Sequence, residues 1–178
     1  LVINITPSPT VNAGTGQTIC SNSSFNLNGI VTGGATTGNW TTSGSGSFNP
    51  SVSVLNGTYT PSAADIATGS VTLTLTSTNN GNCLAVSDTI RIGIKTLAVV
   101  NAGPNLGLCS SSGTISLTGN VSGGTTTGIW TASGAGGFTP NNTSMNTAYN
   151  ITPGDISAGG VTFTLTSTNN SPCPAVTD

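Results

Sequence analysis

Charged side chains are scarce in this 178-residue sequence, at 3% of all residues, where an ordinary globular protein has about 25%. There is no His and no Glu, and the net charge is −2. The scarcity of Lys and Arg argues against binding to nucleic acid, whose phosphates need basic side chains, and against electrostatic attachment to a membrane surface. So weak a net charge is typical of a protein that assembles with its own copies or carries glycans.

Side chains for catalysis and metal binding are scarce as well. A nucleophile has no His to act as its base, and the carboxylates Asp65, Asp88, Asp155 and Asp178 are spread along the chain. Neither paired-carboxylate catalysis nor a Ca²⁺ site with its six to eight oxygen ligands is therefore expected. Lys95 has no counterpart, which argues against Lys–Asn isopeptide bonds. We expect no enzyme activity, no cofactor and no metal.

Long apolar runs are also missing, and no stretch of about 20 apolar residues could span a bilayer. The sequence begins neither with Met nor with a signal peptide, so we expect its start to be a processed end or a cut. What it has instead is Gly (25), Pro (9) and abundant Thr, Ser and Asn. That composition is typical of short strands joined by tight turns.

One alternating stretch occurs twice. Residues 71–80, V-T-L-T-L-T-S-T-N-N, return as residues 161–170, V-T-F-T-L-T-S-T-N-N. Strict alternation predicts a half-buried strand, with the apolar residues from Val71 to Leu75 facing the core and the threonines between them facing outward.

The two halves of the chain align over their whole length, with one single-residue insertion. Matched positions include Cys20 with Cys109, Trp40 with Trp130, Tyr59 with Tyr149, Asp65 with Asp155, and Cys83 with Cys173. Six or seven short strands per repeat predict an all-β fold of tandem immunoglobulin-like sandwiches. We expect both Trp side chains in the cores.

The alignment also sets the domain boundaries. Residues 1–9 are interpreted as the last strand of a preceding repeat plus a linker, 10–96 as repeat 1, and 97–178 as repeat 2 lacking its final strand, because Leu1–Ile5 aligns with Ile90–Ile94. We interpret the chain as a window onto a longer array. Alternatively, the Leu1–Ile5 strand completes the open sandwich of a neighbouring subunit, since an unpaired sheet edge needs a partner.

Local signals predict the elements of repeat 1. Strands are expected near residues 11–13, 24–31, 39–42, 57–60, 71–78 and 86–94, and turns at 33–34, 43–47 and 79–82. Residues 61–66 predict a helical turn whose Asp caps backbone N–H groups. The apolar junction after Ile94 lacks a flexible spacer, which predicts a stiff connection between repeats.

The four cysteines allow three pairings, and the repetition favours Cys20 with Cys83 and Cys109 with Cys173. Closing a loop of about sixty residues would stabilise each repeat by roughly 4 kcal/mol in the chain-entropy model, and it implies an oxidising, extracellular setting. Zinc binding is disfavoured because the sequence has neither a C-x-x-C pair nor a His.

These repeats resemble the PKD-like or immunoglobulin-like repeats of very large surface proteins from gliding bacteria of the Bacteroidetes group. The motifs that carry the resemblance are V-N-A-G, G-x-V-x-G-G-x-T-T-G-x-W-T-x-S-G, Y-x-P-S-x-x-D-I, V-T-L-T-L-T-S-T and C-x-A-V-S-D-T-I. The resemblance implies adhesins and filaments exported by the type IX secretion pathway, with the repeats serving as stalks. By the same resemblance Asp88-Thr89-Ile90 fits an O-glycosylation pattern, which makes Thr89 a candidate for modification.

The sequence therefore favours a structural segment of an extracellular bacterial adhesin or surface filament, a stiff stalk that associates with itself. The alternative is a module that binds carbohydrate or ice. Regular threonines could match an ice lattice, but each repeat shows one such strand and sandwich sheets twist. A carbohydrate site would need exposed aromatic residues, whereas both Trp residues are expected in the cores.

Overall fold

The structure is a computed structural model, and it describes residues 1–3, 5–109 and 111–178. These residues fold into two compact units, Leu1–Thr96 and Leu97–Asp178. Both units are built mainly from β-strands, which confirms the all-β prediction. No helix in the described part of the chain has the length and apolar character needed to cross a membrane.

Unit 1 is a sandwich whose larger sheet has the strand order β2-β9-β8-β5, facing a smaller sheet of order β3-β7-β6. A further pair is formed by β1 and β4. The strands are β1 (Thr10–Asn12), β2 (Thr18–Cys20), β3 (Phe25–Asn26), β4 (Ile30–Thr32), β5 (Thr37–Thr42), β6 (Ser47–Asn49), β7 (Thr58–Thr60), β8 (Ser70–Thr78) and β9 (Ser87–Lys95).

Strand β8 is the centre of this unit, because it pairs with β5 on one side and with β9 on the other. Its alternation works as predicted: Val71, Leu73 and Leu75 are buried and the threonines between them face outward, half-buried. Strand β9 repeats the pattern with Ile90, Ile92 and Ile94, all buried. Each fully buried side chain of this size stabilises the fold by about 2 kcal/mol relative to exposure.

Helix α1 (Ala63–Thr68) connects the two sheets and confirms the helical turn predicted at 61–66. Ser62 is its N-cap, and Asp65 completes a capping box by accepting a hydrogen bond from the Ser62 backbone N–H. Gly69 ends the helix in the left-handed conformation with a φ of 77°, which a residue without a Cβ adopts at little cost. The chain then enters β8 directly.

Unit 2 repeats this plan with fewer pairings. Its strands are β10 (Ala98–Asn101), β11 (Thr114–Thr118), β12 (Asn120–Gly123), β13 (Gly128–Ala132), β14 (Phe138–Thr139), β15 (Asn146–Asn150) and β16 (Phe163–Ser167), with helix α2 (Pro153–Ala158) before β16. The sheets are β11-β15-β14, β13-β16 and β10-β12. Trp130, Tyr149 and Leu165 are fully buried at the centre of its core.

Two features of unit 1 differ from the expected elements. The strand expected over 24–31 is interrupted at residues 27–29. Gly29 in this segment packs so closely on Trp40 and Leu75 that a Cβ there would lie 2.8 Å from both side chains. Strands β2 and β6 were not predicted at all. Both are three residues long and lie in Ser-rich, Thr-rich or Gly-rich sequence that gives no clear alternation.

Candidate functional site: ends, edge and outer face of the repeat

A buried tyrosine and aspartate lock the helix of unit 1 onto its sheets. The Tyr59 hydroxyl donates to Asp65 Oδ2 at 2.7 Å, and both residues are almost completely buried. The carboxylate also accepts from the backbone N–H groups of Ser62 and Ser45, each at 3.0 Å. At Gly44, next to Ser45, a Cβ would collide with the carboxylate. These contacts confirm the structural capping role predicted for Asp65.

The same contacts set the ionisation of the pair. Burial opposes the charged form of Asp65, but the hydrogen bonds from Tyr59, Ser62 and Ser45 outweigh it, and the pKa of Asp65 lies below its ordinary value. Burial raises the pKa of Tyr59, and the neighbouring Asp65 carboxylate raises it further. The pair is therefore a neutral phenol bound to a carboxylate at physiological pH, which suits a structural clamp.

Unit 2 contains the equivalent lock. The Tyr149 hydroxyl lies 3.1 Å from Asp155 Oδ2, which also accepts from the Thr152 backbone N–H at 2.9 Å. The hydrogen bond from the Thr152 backbone is the main cause that lowers the pKa of Asp155, working against desolvation. Sequence reasoning missed the tyrosine partner, although a Tyr six residues before the Asp in both repeats was a usable signal.

The remaining two carboxylates also hold backbone. Asp88 Oδ2 accepts from the N–H of Ala13 at 2.9 Å, and Asp178 Oδ2 accepts from the N–H of Ala102 at 2.8 Å. Each Asp thereby ties the last segment of its repeat to the first strand. The described residues contain no group of three or more His, Cys, Asp or Glu side chains placed to hold a metal ion.

The outer face of the large sheet in unit 1 is a polar surface three strands wide. In the register of β5, β8 and β9, Thr41 lies beside Thr74, and Thr74 lies beside Thr89. The next row along the strands holds Asn39, Thr76 and Ser87. The idea that each repeat offers a single threonine strand is therefore wrong for unit 1, because the pairing sets three polar strands side by side.

This face places the glycosylation candidate in the open. Thr89 is exposed near the beginning of β9, and its backbone N–H donates to Asp88 Oδ1 at 2.8 Å. In unit 2 the corresponding sheet contains β13 and β16, and Ile129 stands where unit 1 has Asn39. The polar rows are thus less regular in unit 2 than in unit 1.

The cysteines of unit 1 lie at opposite ends of the sandwich. In the parallel register of β2 and β9, Cys20 lies opposite Lys95, the last residue of β9. Cys83 lies in the turn before Ser87, the first residue of β9, and its Sγ is 3.7 Å from the carbonyl oxygen of Thr6. The length of β9 separates them by about 26 Å, whereas the Cα atoms of a disulfide lie about 4–7 Å apart.

The predicted disulfide pairs are therefore wrong. Cys83 and Cys109 carry free thiols, whereas Cys20 and Cys173 are disulfide-bonded. Neither Cys20–Cys83 nor Cys109–Cys173 is formed. The alignment could not show that the two cysteines of repeat 1 lie at opposite ends of their unit, because that placement depends on the unpredicted strand β2.

Unit 2 has an open groove beside β16. Its cavity volume is about 1000 Å³, and its wall includes the apolar side chains of Leu117, Tyr149, Val161 and Phe163. In unit 1 the isoleucines of β9 belong to the core cluster at the matching place, together with the equivalent residues Leu27, Tyr59, Val71 and Leu73. The groove of unit 2 thus lies at the place that corresponds to β9 in unit 1.

One apolar segment elsewhere in the chain is almost entirely exposed. Leu1, Val2, Ile3 and Ile5 belong to no strand, and the exposed fractions of their side chains are between 75% and 117% of the reference value. The strand predicted at Leu1–Ile5 also includes Asn4, which lies outside the described residues. The segment aligns with Ile90–Ile94 of β9. It therefore has the same alternating apolar residues that fill the corresponding place in unit 1.

Comparison with known proteins supports the fold alone. No protein-family model and no curated protein match the chain. Sidekick-1 immunoglobulin domains 1–4 align with a TM-score of 0.54 and 12% identity over 99% of this chain and 48% of that chain. Sidekick-1 immunoglobulin domains 1–5 align with a TM-score of 0.53 and 12% identity over 98% and 38%.

Mouse cadherin-23 domains EC22–24 align more weakly, with a TM-score of 0.47 and 10% identity over 97% of this chain and 64% of that chain. The chain spans about half the length of the first Sidekick-1 structure. The Sidekick-1 matches show that the chain has the fold of tandem immunoglobulin-like β-sandwiches.

Proposed function

We propose that this chain is a stalk segment of an extracellular bacterial adhesin or surface filament, in which tandem sandwiches act as stiff spacers and bind copies of themselves. Its role is mechanical and requires no catalysis. The observation that carries the proposal is that unit 2 has an open groove at the place corresponding to β9, while an exposed apolar segment of the chain has the residue pattern of β9. The nearly uncharged surface supports self-association, because little electrostatic repulsion separates the copies.

The occupant of the groove is the Leu1–Ile5 segment of a second copy. Leu1, Ile3 and Ile5 have the alternate spacing of Ile90, Ile92 and Ile94, so they face one side of a strand together. The incoming strand pairs with the first half of β16 and buries its apolar face against Phe163 and Leu117. The second half of β16 already pairs with residues 176–178. Addition of a strand to an open edge is a known mode of protein association.

The main test is assembly of the purified full chain, followed by electron microscopy and sedimentation. Ile3→Asp places a charge on the buried face of the donated strand, so fibres and oligomers should disappear. Ile30→Asp is the matched control, since Ile30 is also an exposed apolar residue, 54% exposed on β4, and the charge change is the same. Equal assembly of the wild type and Ile3→Asp would contradict strand donation.

Salt is a second test of the same proposal. Contacts made by backbone pairing and apolar burial respond weakly to ionic strength, whereas contacts between charges are screened. Assemblies should therefore persist in about 0.5 M NaCl, a concentration that screens charges beyond a few ångströms. Dissolution under that condition would count against the proposal.

The polar outer face of unit 1 favours a second candidate, binding of carbohydrate or ice. Three adjacent strands expose Thr, Asn and Ser side chains there. Glycan-array binding or inhibition of ice recrystallisation by the wild type, lost in Thr74→Tyr, would favour this function. Intact-mass measurement of the native protein would show whether Thr89 carries a glycan instead.

A further inference from the structure

Three Asn-Gly pairs occur in the sequence, Asn28-Gly29, Asn56-Gly57 and Asn80-Gly81, and all of them lie in unit 1. In such a pair the backbone nitrogen of the glycine can attack the carbonyl carbon of the asparagine side chain, because glycine has no Cβ to hinder the approach and its backbone rotates freely. The attack requires a nitrogen that is released from hydrogen bonding and a backbone that has room to move. The three pairs differ in both respects.

Two of the pairs are held by the fold. Gly29 is buried, and its backbone N–H donates to the carbonyl of Leu55 at 3.1 Å. Gly57 is also buried, and its backbone N–H donates to the carbonyl of Val54 at 3.4 Å. An attack by either nitrogen must first break its hydrogen bond inside a packed region. The asparagines that precede these two glycines are therefore protected.

The third pair lies in an open turn between β8 and β9. Gly81 is exposed, with a φ of 62°, and no atom beyond its chain neighbours lies within 4 Å of the place where a Cβ would stand. Among the described residues, no acceptor takes the Gly81 backbone N–H. The turn is closed instead by the backbone N–H of Cys83, which donates to the carbonyl of Asn80 at 3.0 Å. The Gly81 nitrogen is thus free to react.

The Asn80 side chain is held by a long hydrogen bond. Its Nδ2 donates to the carbonyl of Ser77 at 3.3 Å, whereas the equivalent bond in unit 2, from Asn170 to Ser167, measures 2.8 Å. In the described part of the chain, no donor reaches Asn80 Oδ1, although a buried carbonyl oxygen ordinarily has one. The side chain therefore loses little when it turns from Ser77 toward Gly81.

We propose that Asn80 is a site of self-catalysed deamidation, through which unit 1 acquires a carboxylate in its β8–β9 turn as the protein ages. Unit 2 has Asn170-Ser171 at the equivalent place, where the Cβ of Ser171 hinders the same attack. The modification thus distinguishes two repeats that otherwise share this turn. It does not depend on the proposed stalk function, because it needs neither a partner nor an assembly.

The only co-reactant is water. The Gly81 nitrogen gives up its proton and bonds to Asn80 Cγ, the bond from Cγ to Nδ2 breaks, and ammonia leaves with the proton to give a cyclic succinimide. Water then adds to one of the two ring carbonyls, and the ring opens to aspartate or to isoaspartate, in which the main chain runs through the side chain. Overall one amide and one water become one carboxylic acid and one ammonia, without oxidation or reduction.

The product weakens the end of the β8–β9 hairpin. Ser77 joins the two strands there, because its N–H donates to the carbonyl of Val86 at 2.9 Å and its hydroxyl accepts from the N–H of Val86 at 2.9 Å. A carboxylate at position 80 has no N–H to donate to the Ser77 carbonyl and is repelled by it. It also ionises at neutral pH and adds one negative charge to a chain whose net charge is −2.

The test is peptide mapping by mass spectrometry of the full chain after storage at mildly alkaline pH in water labelled with heavy oxygen. Asn80 should take up label at least about fivefold faster than Asn28 or Asn56, since breaking one backbone hydrogen bond of ordinary net strength costs about that factor. Asn170 should also react more slowly than Asn80. In urea the three Asn-Gly pairs should react at similar rates, because the fold no longer holds two of them.

Two variants test the consequence for the hairpin. Asn80→Asp supplies the product directly and should quicken hydrogen exchange at Val86, whereas Asn82→Asp, the same charge change at an exposed residue of the same turn, should not. Stored wild type should shift on ion exchange to the position of Asn80→Asp. Equal labelling of Asn80, Asn28 and Asn56 in the folded chain would overturn the proposal, as would the absence of isoaspartate at position 80.

Discussion

The two units of this chain share one sequence pattern, yet unit 1 contains the nine-residue strand β9, whereas the described residues of unit 2 form at the corresponding place an isolated bridge between Thr166 and Thr177. Strand β8 of unit 1 is nine residues long, while the equivalent β16 has five. The two strands differ in their first halves. Val71 and Leu73 are buried in unit 1, whereas the equivalent Val161 and Phe163 are partly exposed in unit 2. The strand β9 therefore orders its neighbour as well as itself.

A second element depends on β9. Strand β2 pairs in parallel with the end of β9, and the equivalent residues 107–109 form no strand in unit 2. Other features do not depend on it. The Trp side chain is buried in both units, and its indole N–H donates to a backbone carbonyl. The hydrogen bond is 3.2 Å long for Trp40 and 3.4 Å long for Trp130. The tyrosine–aspartate lock is also common to both units.

The largest expected effect comes from removing the centre of β9 in unit 1. Ile92 is fully buried, so Ile92→Ala should lower the free energy of unfolding by about 4 kcal/mol through lost burial and a cavity. Hydrogen exchange measured peptide by peptide should then quicken in β8 and β2 while unit 2 stays unchanged. Thr89→Ala, an exposed position in the same strand, is the control and should change stability by less than about 0.5 kcal/mol.

The converse change supplies the strand to unit 2. Extending the chain beyond Asp178 with T-I-R-I-G-I-K, a copy of residues 89–95, should close the groove and raise the free energy of unfolding of unit 2, because burial of three isoleucines and backbone pairing with β16 together offset the cost of ordering the strand. Slower exchange at Val161 and Phe163 would show it. The extension T-S-R-S-G-S-K is the control, and protection by that polar extension would contradict the groove assignment.

Removal of the tyrosine hydroxyl from the lock should destabilise both units, because the lock does not use β9. Tyr59→Phe leaves Asp65 buried without one of its donors and should cost about 2 kcal/mol. Tyr149→Phe should destabilise unit 2 in the same direction and by less, because the bond from Tyr149 is longer, 3.1 Å against 2.7 Å. Urea denaturation of each variant measures both. A loss in one unit alone would show that the last strand also supports the lock.

The alternating strands, the helical turn and the burial of Trp40 could be predicted from the sequence, because each follows from a local pattern of period two, a capping signal or a large apolar side chain. The short parallel strand β2 could not, since Thr18–Cys20 acquires its conformation from the register of β9, more than seventy residues away. That one pairing decides the position of Cys20. The disulfide prediction failed for that reason.

The sequence could not predict that the polar face of unit 1 is three strands wide. The threonines of β8 were evident from alternation, but the adjacency of Thr41 and Thr89 is a property of the strand order. Conversely, the match between Leu1–Ile5 and the final strand of a repeat could be read from the sequence alone. The structure adds that unit 2 has a groove at the corresponding place.

The smallest expected effect is the dependence of stability on pH. The pKa values of Asp65 and Asp155 are lower in the folded state, so their contribution is present above the ordinary value of 3.8 and is lost as the pH falls through the folded pKa. The pKa values of Tyr59 and Tyr149 are raised, so their contribution is present below 10.0 and is lost as the pH rises through the raised pKa.

Between these limits the sequence has no His to titrate, so the free energy of unfolding should be nearly constant from about pH 5 to pH 9 and should decline outside that range. Urea denaturation across the range measures it. In the double variant Asp65→Asn/Asp155→Asn the acid decline should flatten while the alkaline decline remains, since the phenols stay buried. An unchanged acid decline in that variant would contradict the assignment of the decline to Asp65 and Asp155, the carboxylates of the two tyrosine–aspartate locks.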